Sequence, residues 1–278
     1  MIASEQPALP LPAQTHSNDN LGSSENMSQA IQSHTPPAFT WKSAAVTSTG
    51  NVRSHNEDAI LELPAAGLWV VADGMGGHNA GDVASRMVVE SLATVSATPQ
   101  PSVFLDAVED RLREVNLRLY QHSLNAETGV SGSTVAALLA FDRFALSVWA
   151  GDSRVYRSRG GQCEQVTRDH SEVQEMLDDG VVNAADAEQH SAANVITRAV
   201  GGMEQLYLDL ELRELRHNDR FLVCSDGLYK EVSDDLIGRH LAGNDPEGAC
   251  KALLKHALSG KGSDNVSIVV VQFLEVRA

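Results

Sequence analysis

The chain has 278 residues, 42% of them hydrophobic, which suits one large domain or two small ones. Lys and Arg total 21 against 37 Asp and Glu, so the formal charge is −16 and neither nucleic acid nor an anionic membrane is expected as the main partner, since both need basic surface. The three cysteines, Cys163, Cys224 and Cys250, have no C-x-x-C spacing, which points to a reducing, cytoplasmic compartment; no run is long and apolar enough to span a membrane.

Residues 1–39 differ from the rest. Pro7, Pro10, Pro12, Pro36 and Pro37 lie among Ser, Asn and Gln, and no Lys or Arg precedes Lys42. The segment has neither the basic and apolar regions of a secretory signal nor the arginines of a transit peptide. It is predicted to be a disordered tail, with the folded domain running over 40–278. Lys42 to Ser48, Ile60 to Leu63 and Leu68 to Ala72 are predicted strands in a meander. Helices are expected over Asn79–Val95 and Pro99–Ser123, each with an apolar stripe at helical spacing. Thr134–Phe141, Phe144–Ala150 and Val155–Ser158 form a second meander, turned at Asp142-Arg143 and Gly160-Gly161. Asp169–Gly180 is predicted as a short helix, followed by a polar stretch to Asn194. Phe221–Cys224 is another strand. Ser233–Leu241 and Pro246–Ser259 are expected helices with Ser233 and Asp245 as N-caps, and Val266–Phe273 is the last strand. Strands joined by tight turns indicate antiparallel sheets with helices packed outside, an α+β architecture.

One feature repeats along this pattern. The apolar run Leu68–Ala72 ends in Asp73-Gly74-Met75-Gly76-Gly77, whose glycines suggest unusual dihedrals or close backbone approach. On its own, Asp73 could equally cap the following helix. Yet Asp152 follows Gly151 at another strand end, Asp226-Gly227 ends a third, Asp264 precedes a fourth, and Glu57-Asp58 lies between two more. Carboxylates at one end of several strands can converge in a cleft, where unpaired they would repel. Bound divalent cations remove the conflict, and oxygen-only ligands select Mg²⁺, Mn²⁺ or Ca²⁺ over zinc. Two such ions about 4 Å apart would activate a bridging water and clamp a tetrahedral oxyanion. Arg53, four residues before Glu57, could hold a phosphate bidentately or simply pair with Glu57 or Asp58. These parts describe phosphate-ester hydrolysis. The G-x-S-x-G elbow, the Walker A loop and H-E-x-x-H are all missing from the sequence.

The ordered motifs Arg53-x-x-Asn56-Glu57-Asp58-Ala59, Asp73-Gly74-Met75-Gly76-Gly77, Gly151-Asp152-Ser153-Arg154, Ser225-Asp226-Gly227-Leu228 and Asp264-Asn265-Val266-Ser267 resemble those of the metal-dependent protein phosphatases of type 2C, the PPM family, in its bacterial serine/threonine branch. The stretch Val166–Ser171 through His190 to Ile196–Gly201 is similar to that family's flap, placed around 165–200. The resemblance runs from about Trp41 to Phe273. It implies two antiparallel β-sheets packed as a central sandwich with helices on both outer faces, and two Mn²⁺ or Mg²⁺ ions at the sheet edge. By motif position, Asp73 would bridge both ions and the Gly74 carbonyl would bind one. Asp226 and Asp264 would complete the first site, and Glu57 or Asp58 would serve the second, mostly through waters. Asp152, with Asp226, would hold a third, weaker ion. Arg53 matches the phosphate-binding arginine. Many eukaryotic members carry a histidine just after Asp-Gly as general acid; here Met75 stands there, and a thioether donates no proton. His55 and His78 are the candidates to replace it. The implied protein is a monomeric, cytoplasmic phosphatase for phosphoserine and phosphothreonine on proteins, acting against a serine/threonine kinase. The alternatives are a non-catalytic phosphoprotein-binding scaffold of the same fold and a phosphatase for small phosphate esters.

Overall fold

The alternation of side chains along one strand sets the layering. In Leu68–Met75, Leu68, Val70 and Ala72 pack on one side and Trp69 and Val71 on the other, all fully buried. A strand buried on both faces must lie between two apolar layers. The computed structural model describes residues 39–76, 80–98, 100–125, 131–187 and 190–276. The compact unit that contains them is Pro37–Ala278.

Within the described residues the elements run β1 (Phe39–Ser48), β2 (Asp58–Leu63), β3 (Leu68–Met75), α1 (Ala80–Leu92), α2 (Pro101–Asn125), β4 (Gly132–Ser133), β5 (Val135–Phe141), β6 (Phe144–Ala150), β7 (Arg154–Arg159) and β8 (Gln162–Gln165). Then come α3 (Glu172–Asp178), α4 (Ala184–Ala187), β9 (Asp209–Glu214), β10 (Arg220–Cys224), α5 (Asp226–Tyr229), α6 (Asp234–Gly243), α7 (Pro246–Ser259) and β11 (Val266–Glu275). One sheet has the order β1-β11-β10-β7-β8 and the other β2-β3-β5-β6-β9, with β4 on the end of β3. Every strand pair is antiparallel.

Three cores separate four layers. Trp69, Val71, Leu138, Trp149, Phe221, Val269 and Phe273 fill the space between the sheets. Trp41, Trp69, Phe221 and Phe273 meet there edge to face at 5.6–6.2 Å. Val70, Val135, Leu139 and Val148 pack under α1 and α2, against Val88, Phe104 and Leu112. Leu222, Cys224, Ile268 and Val270 pack under α5, α6 and α7, against Leu228, Ile237 and Leu253. Cys224 is thus a small core residue. The fold is the sandwich of two antiparallel sheets with helices outside that the sequence led us to expect.

The differences in detail have local causes. Strand β3 continues through Asp73 and Gly74 to Met75, because Gly74 and Met75 pair with Ser133 and Gly132. Gly74 is therefore a strand residue, and its missing side chain serves close approach: a Cβ there would lie 1.9 Å from the Gly81 carbonyl oxygen. Helix α3 starts at Glu172, capped by Ser171, whose hydroxyl accepts from the Gln174 amide. Asp245 caps α7 by accepting from the Gly248 amide at 2.8 Å, whereas Ser233 flanks α6 without a side-chain capping bond. Strand β9 was not among the expected elements, although Leu208, Leu210 and Leu212 alternate with charged residues leading into and along it. Asp142 (φ 51°) and the Gly160-Gly161 pair (φ 59° and 85°) make the expected hairpin turns. Of the segment 1–39 expected to be a disordered tail, residues 1–38 lie outside the described residues and Phe39 opens β1. Among the described residues no helix is long and apolar enough to cross a membrane.

Candidate active site

Antiparallel pairing brings the C-terminal ends of β3, β6 and β10 together with the N-terminal ends of β2 and β11. Each sequence-predicted carboxylate sits at one of those ends. Asp58 and Asp73 are directly paired across β2 and β3. Asp73 shares the parity of Trp69 and Val71, and Asp58 that of Ile60, so both face the space between the sheets. Two like charges directly opposite on one face are destabilising unless something compensates.

The surroundings sharpen that conflict. Burial, with Asp58, Asp226, Asp152 and Asp264 nearby, holds the Asp73 carboxyl well above the usual carboxylate range. Asp58 is pushed up to about 7, first by burial and further by Asp226 and Asp264, against the opposing pull of Ser225 and Ser267. Asp152 also rises to about 7, through burial and Asp226, while Lys230 draws it down. Asp58 Oδ1, Asp152 Oδ1 and Asp226 Oδ1 are buried and have no hydrogen-bond partner. Buried polar oxygens without partners are rare in folded proteins. A hard divalent cation is the natural complement to several converging carboxylates, so the residues fit such a group. Among the described residues, no three His, Cys, Asp or Glu side chains are already closed around one point. The outer oxygens of the cluster are drawn to basic groups instead: Arg53 Nη2 binds Asp264 Oδ2 at 2.9 Å, and Lys230 Nζ binds Asp226 Oδ2 at 2.5 Å.

The backbone beneath the cluster is held on all sides. Thr134 Oγ1 accepts from the Asp73 amide at 3.0 Å, and the Asp73 carbonyl accepts from Thr134 N and Ser133 Oγ. Ser225 Oγ donates to Asp58 Oδ2 at 2.7 Å and accepts from the Ser267 amide at 2.9 Å, tying β2 to β10 and β11. Tyr229 Oη donates to the Asp152 carbonyl, and the Arg154 guanidinium lies 3.5 Å over the Tyr229 ring while bonding Asp169. Asn265 is the main fastener of the 49–57 loop. Its Nδ2 donates to the carbonyls of Thr49 and His55 at 3.0 and 2.9 Å, and its Oδ1 accepts from the Glu57 amide at 2.8 Å.

The structure separates Glu57 from Asp58. Asp58 faces Asp73, whereas Glu57 lies beside the N-terminus of α1, where its Oε1 would be 2.7 Å from a Cβ on Gly81. The Gly74 carbonyl oxygen is close to the same glycine, 2.8 Å from that Cβ position. Arg53 is exposed and pairs with Asp264, not with Glu57 or Asp58. His55 is exposed at the rim, and His78 lies outside the described residues. Segment 165–200 is attached beside the cluster by His170 to Gly151 and by Val200 to Ser133. Sequence reasoning did not pick out Asn265, Ser225, Thr134, Tyr229 or Lys230 as supports, although Asn265 and Ser225 stand within the quoted motifs.

A carboxylate-lined end of a double-sheet sandwich, with an arginine at its rim, has the donor set that metal-assisted phosphate chemistry requires. Comparison with known proteins agrees. Residues 47–259 match the family described as protein phosphatase 2C, and the chain belongs to that family. It is 36% identical over 234 residues to the serine/threonine protein phosphatase PstP of Mycobacterium tuberculosis, an alignment covering 84% of this chain and 45% of that one; the chain thus spans about half the length of this relative. Among solved structures it is similar to PppA of Pseudomonas aeruginosa, described as a key regulatory component of T6SS, with 40% identity, a TM-score of 0.79, and coverage of 86% of this chain and 100% of that one. It is also similar to the catalytic domain of PstP in complex with two manganese ions, with 33% identity, a TM-score of 0.77, and coverage of 85% and 100%.

Proposed function

We propose that the chain hydrolyses phosphoserine and phosphothreonine on proteins, opposing a serine/threonine kinase in the cytoplasm of a bacterium, and that it does so as a monomer. The observation that carries this reading is the set of buried, unpartnered carboxylate oxygens on Asp58, Asp152 and Asp226 around the clamped Asp73. Asp73, the Gly74 carbonyl, Asp226 and Asp264 would hold one Mn²⁺ or Mg²⁺, and Asp73 with Asp58 the other, with Glu57 reaching it through water. When bound, the ions would supply a water acidified to near neutrality and neutralise charge developing on the phosphoryl oxygens. Thr134 and Ser133 fix the Asp73 backbone so that its carboxylate needs no reorganisation during the reaction. Ser225 holds Asp58 to the same face. Arg53, released from Asp264, would grip two phosphate oxygens in its planar fork. The leaving serine or threonine oxygen must gain a proton, and Met75 cannot give one; His55 and His78 are the candidates at the rim. Segment 165–200 would act as the flap over a protein substrate.

The test compares a phosphothreonine peptide with para-nitrophenyl phosphate, with and without Mn²⁺. The reading expects Mn²⁺-dependent turnover with a higher kcat/KM on the peptide. Metal-independent turnover would contradict the cation centre. A preference for the small ester would favour a small-molecule phosphatase, and binding of phosphopeptide without turnover a scaffold.

A further inference from the structure

Lys230 is a basic side chain that reaches the carboxylate cluster and a neighbouring loop at once. It stands one helical turn after Asp226, and its amide donates to the Asp226 carbonyl at 3.0 Å, which puts both side chains on one face. The ammonium donates to Asp226 Oδ2 at 2.5 Å and to Asn194 Oδ1 at 2.7 Å. Asn194 belongs to segment 165–200. Asp226 thereby divides its carboxylate: Oδ2 faces the ammonium, while the buried Oδ1 has no hydrogen-bond partner. Asp152, a second acid on this side, also has a buried, unpartnered Oδ1.

We propose that Lys230 supplies from the chain itself the positive charge that a third cation would bring between Asp226 and Asp152, and that the same ammonium latches segment 165–200 to the cluster through Asn194. The inference rests on the dinuclear phosphatase reading above. An ammonium has three donors and no acceptor, so it can bind two oxygen groups but cannot share a site with a metal ion. A divalent ion placed between Asp226 and Asp152 would meet like charge at short range in a partly buried setting, where screening is weak.

The experiment titrates Mn²⁺ alone, by calorimetry, into wild type, Lys230→Gln, Lys230→Arg and Asn194→Ala, and measures amide hydrogen exchange over 190–200 in each. Circular dichroism checks folding, with Lys230→Met as the substitute if Lys230→Gln does not fold. Wild type is expected to take two ions with only weak further uptake. Lys230→Gln should bind a third about tenfold or more tighter than wild type, and exchange faster over 190–200. Lys230→Arg should keep the wild-type isotherm. Asn194→Ala should exchange faster while its isotherm stays unchanged. Matching isotherms for wild type and Lys230→Gln, or unchanged exchange in Lys230→Gln, would overturn this inference alone. A wild type that takes up no Mn²⁺ would overturn the phosphatase reading and this inference with it.

Discussion

Asn265→Ala is the substitution through which the loop carrying Arg53 and Glu57 is best tested. The side chain is 5% exposed and makes three hydrogen bonds at 2.8, 2.9 and 3.0 Å, to the backbone of Glu57, His55 and Thr49. Alanine would leave one amide and two carbonyls without these partners. At about 1 kcal/mol net for each bond, the loss is about 3 kcal/mol, more where water cannot reach the freed groups. For a domain of this size that is a fall of about 6–12 °C in melting temperature. The assay is urea unfolding followed by circular dichroism in EDTA, so that cation binding does not add to stability. Loosening the loop should also raise KM for a phosphothreonine peptide, because Arg53 is carried on it. Asn265→Asp keeps the acceptor for Glu57 N but loses both donations and adds negative charge beside Asp264, so it should be no more stable than the alanine variant. A loss under about 0.5 kcal/mol in Asn265→Ala, with KM unchanged, would refute the claim that this side chain fastens the loop.

Other consequences follow from the same geometry. Asp58 and Asp152 have folded pKa values near 7, above their unfolded value, so folding takes up protons and the cation-free protein loses stability as pH rises through 7. His170 and His240 are shifted the opposite way by burial and cost stability only below about 6.5, so the window from 6.5 to 8 isolates the carboxylates. The melting temperature in EDTA should fall across that window and the fall should vanish in excess Mn²⁺; a flat profile in EDTA would contradict the assignment. Gly227→Ala would put a Cβ 2.0 Å from the Asn265 carbonyl oxygen, a backbone atom that cannot yield cheaply, and should cost more than about 2 kcal/mol by urea unfolding. Wild-type stability in that variant would show that the 226–229 turn is free to move. Arg53→Ala should raise KM more than it lowers kcat, since phosphate is held in both ground and transition states; an unchanged KM would remove Arg53 from that role.

Much of this molecule was legible in its sequence, for identifiable reasons. Strand β3 was visible because a strand buried on both faces is a continuous apolar run, and the same parity that sends Trp69 and Val71 inward sends Asp73 inward. Strand β9 was not expected. Its signal is nevertheless in the sequence, where Leu206, Leu208, Leu210 and Leu212 alternate with Tyr207, Asp209, Glu211 and Arg213, the period of two that marks a strand with one face turned outward; only a search for continuous apolar runs passes over it. The cluster was legible as strand-end carboxylates, but its supports were not. Asn265 meets Thr49, His55 and Glu57 across more than 200 positions, and no spacing rule joins them. That Arg53 meets Asp264, and not Glu57 or Asp58, has the same origin, since sequence proximity ranks only local partners. Gly74 read correctly as special but for a broader reason than the one found, because the approach of Gly81 depends on where α1 docks.

Asp73 is proposed to organise a divalent-cation centre that hydrolyses phosphothreonine in proteins. That role is tested most directly by phosphate release from a phosphothreonine peptide in Mn²⁺, wild type against Asp73→Asn, with both shown to be folded. The geometry predicts Mn²⁺-dependent release by wild type and background release by Asp73→Asn, whose amide keeps the size of the side chain but loses the charge shared by the ions. Full activity in Asp73→Asn would show that the Asp73 carboxylate holds no essential cation.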